Sequence, residues 1–248
     1  MSTAPKQPVV GVIGGMGPEA TVDLMRRVLA ATPAEDDADH IRMIVDNNSK
    51  VPSRLKALVE RTGEDPTPVL EGMARALQRA GADFLVIPCN TAHYFLPAIQ
   101  AAVTCPVADM IGLSIERIRR DLAADARIGL LASPAVKLTG LFEHRCRAAG
   151  IDVLWPEGEH DVAVLATIMA VKASGVSAAQ MQAYRGAARS LVERGARLLV
   201  IACTELSVVG NLDGLGAPAV DTLDILVDDI LRRCGVTPRA TGTAAAAA

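Results

Sequence analysis

Aromatic residues are almost absent from this chain of 248 residues, which contains one Trp, two Tyr and three Phe. Proteins that bind single-stranded nucleic acid stack the bases on aromatic side chains, so this scarcity argues against such a surface. Neither sign of charge dominates, because 25 Lys and Arg are balanced by 28 Asp and Glu, for a net charge of −3. The sequence therefore predicts no nucleic-acid partner.

The chain also lacks an apolar run of the length that crosses a membrane. Residues 1–8 lack the apolar stretch of a secretory signal peptide. The five cysteines have no paired spacing, which without an export signal indicates reduced thiols rather than a disulfide framework. We therefore expect a cytoplasmic protein that has no membrane partner.

Half of the residues are hydrophobic, and they form short aliphatic runs that alternate with helical patterns. This alternation predicts an α/β fold with parallel sheets. Strands are predicted within residues 9–14, 40–46, 85–89, 105–109, 127–134, 151–155, 199–203 and 217–221. The principal helices are predicted from residue 18 and within 65–80, 96–103, 110–123, 137–148, 160–172, 177–194 and 222–233.

One segment of the chain is repeated. Residues 85–93 read Leu-Val-Ile-Pro-Cys-Asn-Thr-Ala-His, and residues 199–206 read Leu-Val-Ile-Ala-Cys-Thr-Glu-Leu. Three pairs of landmarks recur at nearly constant separation, which indicates an internal duplication. The separation is 118 residues between Gly11 and Gly129, 114 between Cys89 and Cys203, and 112 between Asp109 and Asp221.

The duplication predicts two similar flavodoxin-like halves with the active site in the cleft between them. We expect residues 1–109 and 222–236 to form the first domain and residues 110–221 the second. The tail, residues 237–248, ends in five alanines and is predicted to be disordered.

Cys89 and Cys203 each end a predicted buried strand, and open α/β sheets bind their ligands at the carboxyl ends of strands. If the two clefts face each other, the thiols lie on opposite walls of one pocket, and a domain interface is a favoured place for a small-molecule site. A single free cysteine is more often a small buried hydrophobe. The repetition favours a function for the pair.

Residues 15–20 match the pattern G-x-G-x-x-A after a strand, and Asp46 ends the next strand, as in dinucleotide-binding proteins. Alternatively, this turn presents backbone N–H groups at a helix N-terminus to a carboxylate. We favour the second interpretation, because a nucleotide leaves the paired cysteines unexplained. A metal site is not predicted: Cys89 and His93 are four residues apart, but no second histidine follows Cys203.

Three motifs occur in order: Gly-Gly-Met-Gly-Pro-Glu-Ala-Thr at 14–21, Pro-Cys-Asn-Thr-Ala-His at 88–93 and Ala-Cys-Thr-Glu at 202–205. Together they resemble the signature of the cofactor-independent aspartate/glutamate racemase family, over the chain up to about residue 235. The likeness is to the aspartate racemase branch. Glutamate racemases of that family typically open with Asp-Ser-Gly and carry Cys-Thr-His at the second cysteine.

The resemblance implies a homodimeric isomerase that racemises an acidic amino acid, aspartate in preference to glutamate, without pyridoxal phosphate or another cofactor. One cysteine as thiolate removes the α-proton from one face, and the other as thiol protonates the opposite face. A free thiol titrates near about 8.5, so we expect one thiol to be biased toward thiolate. Asp46 and Glu205 are the expected proton relays or tuning groups. The expected substrate-binding residues are Met16, Asn47, Arg54, Asn90, Thr91, Lys172 and Thr204.

Other functions remain open on the sequence. Within the same superfamily these are a glutamate racemase, a racemase of broader specificity, or an isomerase or decarboxylase related to maleate isomerase. Outside it, the chain could be a nucleotide-binding enzyme that uses residues 15–20, or a protein that binds acidic metabolites without catalysis.

Overall fold

The computed structural model describes residues 7–122, 126–173, 175–210 and 212–238. Seven strands in this part of the chain form two parallel sheets. The first sheet contains β1 (Val10–Gly14), β2 (Met43–Asn47) and β3 (Phe84–Val86) in the order β2-β1-β3. The second contains β4 (Arg127–Ala132), β5 (Asp152–Leu154), β6 (Ala196–Ala202) and β7 (Ala219–Asp221) in the order β5-β4-β6-β7.

The two sheets share one topology. Beyond β3, the first sheet continues through an isolated parallel bridge between Leu85 and Val107. This bridge corresponds to the pairing of β6 with β7, where Leu199 lies opposite Ala219. Both sheets therefore have the flavodoxin-like order in which the first strand lies in the interior. The predicted α/β fold with two parallel sheets is confirmed.

Ten α-helices connect the strands of the described chain. In the first half of the sequence they are α1 (Pro18–Ala31), α2 (Thr67–Arg79), α3 (Leu96–Ala101) and α4 (Met110–Asp121). In the second half they are α5 (Pro134–Thr139), α6 (Glu143–Ala148), α7 (Glu159–Ala173), α8 (Ala178–Glu193), α9 (Thr204–Val209) and α10 (Thr222–Arg233). Short 3₁₀ turns occur at Asp37–Asp39 and Thr91–Phe95, and a π-helical turn occurs at Lys56–Glu60.

Two predictions of secondary structure were wrong. The single helix predicted within 137–148 is divided into α5 and α6, because Gly140 ends α5 in the left-handed conformation at φ 63°. The strand predicted from residue 40 begins only at Met43, after the 3₁₀ turn. Helix α9, which directly follows Cys203, was not predicted.

Helices α4 and α10 each pack against the sheet of the other half. Leu223, Leu226 and Ile230 of α10 are buried with β1 and β3 of the first sheet, although α10 directly follows β7. Ile111 and Ile115 of α4 are buried with β4 and β6 of the second sheet, although α4 follows the first. The predicted domain boundaries at 109/110 and 221/222 agree with this packing but stay a prediction. The predicted disordered tail lies, from residue 239 onward, outside the described residues.

Candidate active site

Cys89 and Cys203 line the same cavity, which has a volume of about 60 Å³. Each cysteine is 6% exposed. Of the other predicted site residues, the cavity is also lined by Met16, Arg54, Thr91, Lys172 and Glu205. Its remaining walls are Ser53, Leu55, Ser133, Pro134, Ala135, Leu165, Ile168 and Met169, none of which was predicted.

The two cysteines occupy corresponding turns. Cys89 follows β3 in a tight turn that its own N–H closes on the carbonyl of Ile87 at 2.8 Å, just before the 3₁₀ turn. Cys203 follows β6 and is the N-cap residue of α9. The cavity therefore lies where the carboxyl ends of two parallel sheets meet.

The glycine-rich turn after β1 lies against the loop that follows β2. Gly15 has φ +88°, and a Cβ there would come within 2.3 Å of the carbonyl oxygen of Asn48. A Cβ at Gly14 would lie 2.6 Å from the side chain of Thr21. The two glycines therefore permit close packing, Gly15 against backbone and Gly14 against a side chain, and this packing accounts for them without a nucleotide.

Arg54 is held in place by that loop. Its guanidinium donates to the carbonyl oxygens of Val51 at 3.2 Å, Pro52 at 2.8 Å and Met16 at 3.3 Å. Its Nε is buried and has no hydrogen-bond partner among the described residues. The guanidinium is therefore fixed at the cavity wall with donor capacity to spare.

Glu205 connects the second thiol to a lysine. The Sγ of Cys203 donates to Glu205 Oε2 at 3.1 Å, and Lys172 Nζ lies 3.0 Å from Glu205 Oε1. The Glu205 side chain is 7% exposed, whereas Lys172 is 45% exposed. Burial favours a lower pKa for Lys172, but the Glu205 carboxylate outweighs it and raises that pKa.

Burial raises the pKa of both thiols. For Cys203 the rise is large, because the neighbouring Glu205 carboxylate adds to the effect of burial. For Cys89, burial is opposed by the Arg54 guanidinium, so the pKa is raised less. The expectation that one thiol is biased toward thiolate was wrong, because desolvation outweighs the nearby cations. The two thiols nonetheless differ in how far their pKa is raised, and Cys89 is the easier to ionise.

Residues next to the cysteines join the two halves. Thr91 Oγ1 lies 3.1 Å from Ser133 Oγ, and Asn90 Nδ2 donates to Thr222 Oγ1 at 3.0 Å. Asn90 Oδ1 and Thr204 Oγ1 are buried without a hydrogen-bond partner in the described structure. Neither Asn90 nor Thr204 lines the cavity, so their predicted contacts with substrate stay predictions.

Asp46 and Asn47 lie at the end of β2, where Asp46 is half-buried and Asn47 is exposed. Neither residue lines the cavity or the groove beside it, and their roles also stay predictions. The apolar wall from α7 was missed, although its signal was present: the helix is apolar on nearly every face, as expected of a helix that packs on several sides.

A groove of about 860 Å³ adjoins the cavity. It shares Ser53, Arg54, Lys172 and Glu205 with the cavity and extends past the N-terminus of α1. The Lys172–Glu205 ion pair therefore lies at the boundary between groove and cavity. A ligand that enters from the groove meets these two charges first.

The described residues contain neither a metal-binding cluster nor a membrane-spanning helix. Within them, no group of three or more His, Cys, Asp or Glu side chains is placed to hold a metal ion. In the same residues, no helix is both long enough and apolar enough to span a membrane.

The two parallel sheets and the cavity at their carboxyl ends define an α/β protein with a small-molecule site. The model of the Asp/Glu/Hydantoin racemase family matches residues 13–230, so the chain belongs to that family and is an amino-acid racemase. The family predicted from the three sequence motifs is confirmed.

Individual relatives agree with this assignment. The chain is 24% identical to the broad specificity amino-acid racemase RacX of Bacillus subtilis (strain 168), over 86% of this chain and 92% of that protein. Its fold is similar to that of the Picrophilus torridus aspartate racemase, with a TM-score of 0.80, 25% identity and coverage of 94% and 96% of the two chains. It is also similar to PH1733, an aspartate racemase homologue from Pyrococcus horikoshii OT3, with a TM-score of 0.72, 16% identity and coverage of 93% and 100%.

Proposed function

We propose that this protein racemises an acidic amino acid, aspartate in preference to glutamate, by proton transfer through Cys89 and Cys203 without a cofactor. The observation that carries the proposal is the convergence of one thiol from each duplicated half on a single cavity. Racemisation needs acid–base groups on both faces of the α-carbon, and two corresponding strand ends supply such a pair.

In one direction, the thiolate of Cys89 takes the α-proton and becomes a thiol, leaving a carbanion at the α-carbon. The thiol of Cys203 then gives its proton to the opposite face and becomes a thiolate. The reverse reaction exchanges the two roles. After this turnover Cys89 holds an extra proton and Cys203 lacks one. Glu205, which accepts the Cys203 hydrogen bond, is suited to pass a proton from solvent to the Cys203 thiolate, while Cys89 releases its proton to solvent.

The raised pKa values suit this chemistry. The α-proton of an amino acid is weakly acidic, and a desolvated thiolate is a stronger base than one in water. The cost is a smaller thiolate fraction at neutral pH. Arg54 reduces that cost for Cys89, because its positive charge opposes the effect of burial on the pKa.

The substrate reaches the cavity through the groove that adjoins it. The Lys172–Glu205 pair lies between cavity and groove, and a zwitterionic substrate can replace each partner of that pair. We propose that the substrate ammonium group binds Glu205 and that its side-chain carboxylate binds Lys172 and Arg54.

Aspartate is favoured because two cations, Arg54 and Lys172, line the cavity and because the similar Picrophilus torridus protein is an aspartate racemase. The second candidate is a racemase of broader specificity, as the name of the Bacillus subtilis relative states for that protein. The apolar wall formed by Leu165, Ile168 and Met169 favours this second candidate, since it suits an uncharged side chain. We propose a cytoplasmic homodimer from the family resemblance alone.

The test is a panel of L-amino acids incubated with the enzyme in D₂O without added cofactor, followed by chiral chromatography and mass spectrometry. We expect D-aspartate that carries deuterium at the α-carbon, formed faster than any other product. Carbonyl-trapping reagents should leave the rate unchanged, because no Schiff base takes part. Comparable rates for neutral amino acids would establish the broader specificity. An absence of α-deuterium exchange in every substrate would refute the proposed racemase function.

A further inference from the structure

His93 is a buried histidine four residues after Cys89, and it is 2% exposed. Its Nδ1 lies 2.9 Å from the carbonyl oxygen of Cys89, and its Nε2 accepts the backbone N–H of Met110 at 3.1 Å. Because Nε2 accepts, the ring proton is on Nδ1 and is donated to the Cys89 carbonyl. The imidazole is therefore a neutral bridge between the Cys89 turn and the first residue of α4.

This bridge supports the thiol itself. The backbone N–H of Ala92, the residue before His93, interacts with the Cys89 thiol and opposes the effect of burial on its pKa. His93 fixes both sides of that interaction, because it holds the Cys89 carbonyl and anchors the turn that carries Ala92. Burial lowers the pKa of His93, and the charged groups that act on it are Asp109 and Arg145.

The second half uses different chemistry at the same position. Ser207 is four residues after Cys203, and its Oγ lies 3.5 Å from the Cys203 carbonyl oxygen and 2.7 Å from Asp221 Oδ1. Asp221 in turn accepts the N–H of Leu223 at 2.8 Å at the start of α10. Each cysteine turn is thus tied to the helix that packs against the opposite sheet, but only the first turn uses a direct two-point bridge.

We propose that His93 is a positioning residue for Cys89 alone, holding its turn against the start of α4 so that proton transfer on that face of the substrate is efficient. The inference rests on the proposed racemase function. A misplacement of about 1 Å costs about 100-fold in rate. Loss of the bridge is therefore expected to reduce kcat/KM by about 10- to 100-fold.

Three variants separate positioning from packing. His93→Leu replaces the imidazole with an apolar side chain of similar size and removes both hydrogen bonds. His93→Gln keeps a donor and an acceptor on one side chain and should restore most of the activity. Ser207→Ala removes the corresponding side chain in the other half and should leave transfer through Cys89 unchanged.

The decisive readout is directional. The enantiomers have equal free energy, so the loss in kcat/KM must be equal in both directions and cannot identify the affected thiol. The kinetic isotope effect can identify it. With α-deuterated substrate, His93→Leu should raise the isotope effect only in the direction in which Cys89 removes the proton. Cys89→Ser should raise the isotope effect in that same direction and Cys203→Ser in the opposite one, so these two variants identify the direction. An equal change in both directions, or a match to Cys203→Ser, would overturn the proposal.

A second readout does not require turnover. Alkylation of Cys89, mapped by mass spectrometry across pH, should need a higher pH in His93→Leu than in the wild type, while the profile of Cys203 stays unchanged. The charges that act on Cys89, those of Arg54, Glu205 and Lys172, are the same in both proteins. An unaltered Cys89 profile in a folded His93→Leu variant would also overturn the proposal. If the wild type does not racemise amino acids but alkylation of Cys89 still needs a higher pH in His93→Leu, only the proposed function is refuted.

Discussion

The two cysteines occupy corresponding positions in the duplicated halves but have opposite electrostatic neighbours. Cys89 is influenced by the Arg54 guanidinium, whereas Cys203 donates a hydrogen bond to the Glu205 carboxylate. In the proposed mechanism, the duplication supplies the symmetric geometry that proton transfer on two faces of one carbon requires. The different neighbours separate the pKa values of the two thiols, so that Cys89 is the easier to ionise and Cys203 is the one that keeps its proton.

The proposed substrate accounts for the difference between the halves. In the proposed mechanism the α-carbon is approached symmetrically, but the side chain of an acidic amino acid lies on one side only, so its carboxylate would not be bound by two equivalent groups. Arg54 comes from the loop after β2, and Lys172 comes from the last turn of α7. The site therefore combines a symmetric pair of thiols with an unsymmetric pair of cations.

The largest expected effect comes from removing either thiol. Cys89→Ala and Cys203→Ala should each lower racemisation by about 10³-fold or more, because positioned general acid–base groups contribute about 10²- to 10⁴-fold each. Each variant should still exchange the α-proton of one enantiomer with solvent, and the two variants should differ in which one. Cys105→Ala, outside the cavity, is the matched control. Full racemisation in either variant would end the two-thiol mechanism.

Removing a cation should affect acidic substrates selectively. A hydrogen bond to a charged group contributes about 1.5–3 kcal/mol, so Lys172→Met should lower kcat/KM for aspartate by about 10- to 100-fold. Arg54→Met should do the same and should also reduce thermal stability, because its guanidinium joins two carbonyl groups of the loop after β2 to the carbonyl of Met16 in the turn after β1.

The control for both cations is Lys50→Met, an exposed position outside the cavity and groove. Rates with alanine or serine should change little in Lys172→Met. In Arg54→Met they should fall, but less than the rate with aspartate, because Arg54 also opposes the rise in the pKa of Cys89. Equal losses on acidic and neutral substrates would remove Arg54 and Lys172 from the specificity of the site.

Glu205→Gln should reduce the difference in pKa between the two thiols. The neutral amide no longer raises the pKa of Cys203, and the charge of Lys172 then acts on it unopposed. In the wild type, alkylation of Cys89 should begin at a lower pH than that of Cys203. In Glu205→Gln, Cys203 should react several-fold faster at neutral pH, as measured by peptide mapping. If Cys203 is alkylated at the wild-type rate and still requires a higher pH than Cys89, Glu205 does not cause the difference in pKa between the thiols.

The raised pKa values of the two thiols predict the pH dependence of the wild type. Because the pKa of both thiols is raised, the thiolate fraction increases as pH rises from neutral to alkaline. The value of kcat/KM should increase over that range. A rate that is independent of pH there would contradict a thiolate base.

The smallest expected effects are on the free energy of unfolding, with one substitution in each half. Gly72 in α2 and Gly186 in α8 lie in corresponding helices, and a Cβ at either position meets no atom within 4 Å. Each substitution by Ala should raise the free energy of unfolding by about 0.5–1 kcal/mol. Denaturant titration should show additive gains in the double variant. A gain from only one of them would mean that the halves do not unfold together.

The sequence was informative where local pattern decides the structure. Repeated aliphatic runs located both sheets and both thiols, because strand ends and cysteines can be read directly. The sequence was uninformative where packing between distant segments determines the site. The α7 wall and Ser133 reach the cavity only through the assembly of the two halves. The direction of the thiol pKa shifts depends on a burial that no local pattern encodes. The break at Gly140 shows that a single left-handed residue can divide an otherwise continuous helical pattern.

The exchange of α4 and α10 between the halves has a consequence for the order of synthesis. A chain that emerges from the ribosome presents β1, β2 and β3 before the whole second sheet, but the apolar faces of β1 and β3 that α10 covers stay open until α10 has been made. Domains commonly fold as they are made, N-terminal part first. Here the first half must wait for α10, so the nascent protein carries an exposed first sheet while the second half is being made. Neither half can be released as a finished unit by cutting the chain once.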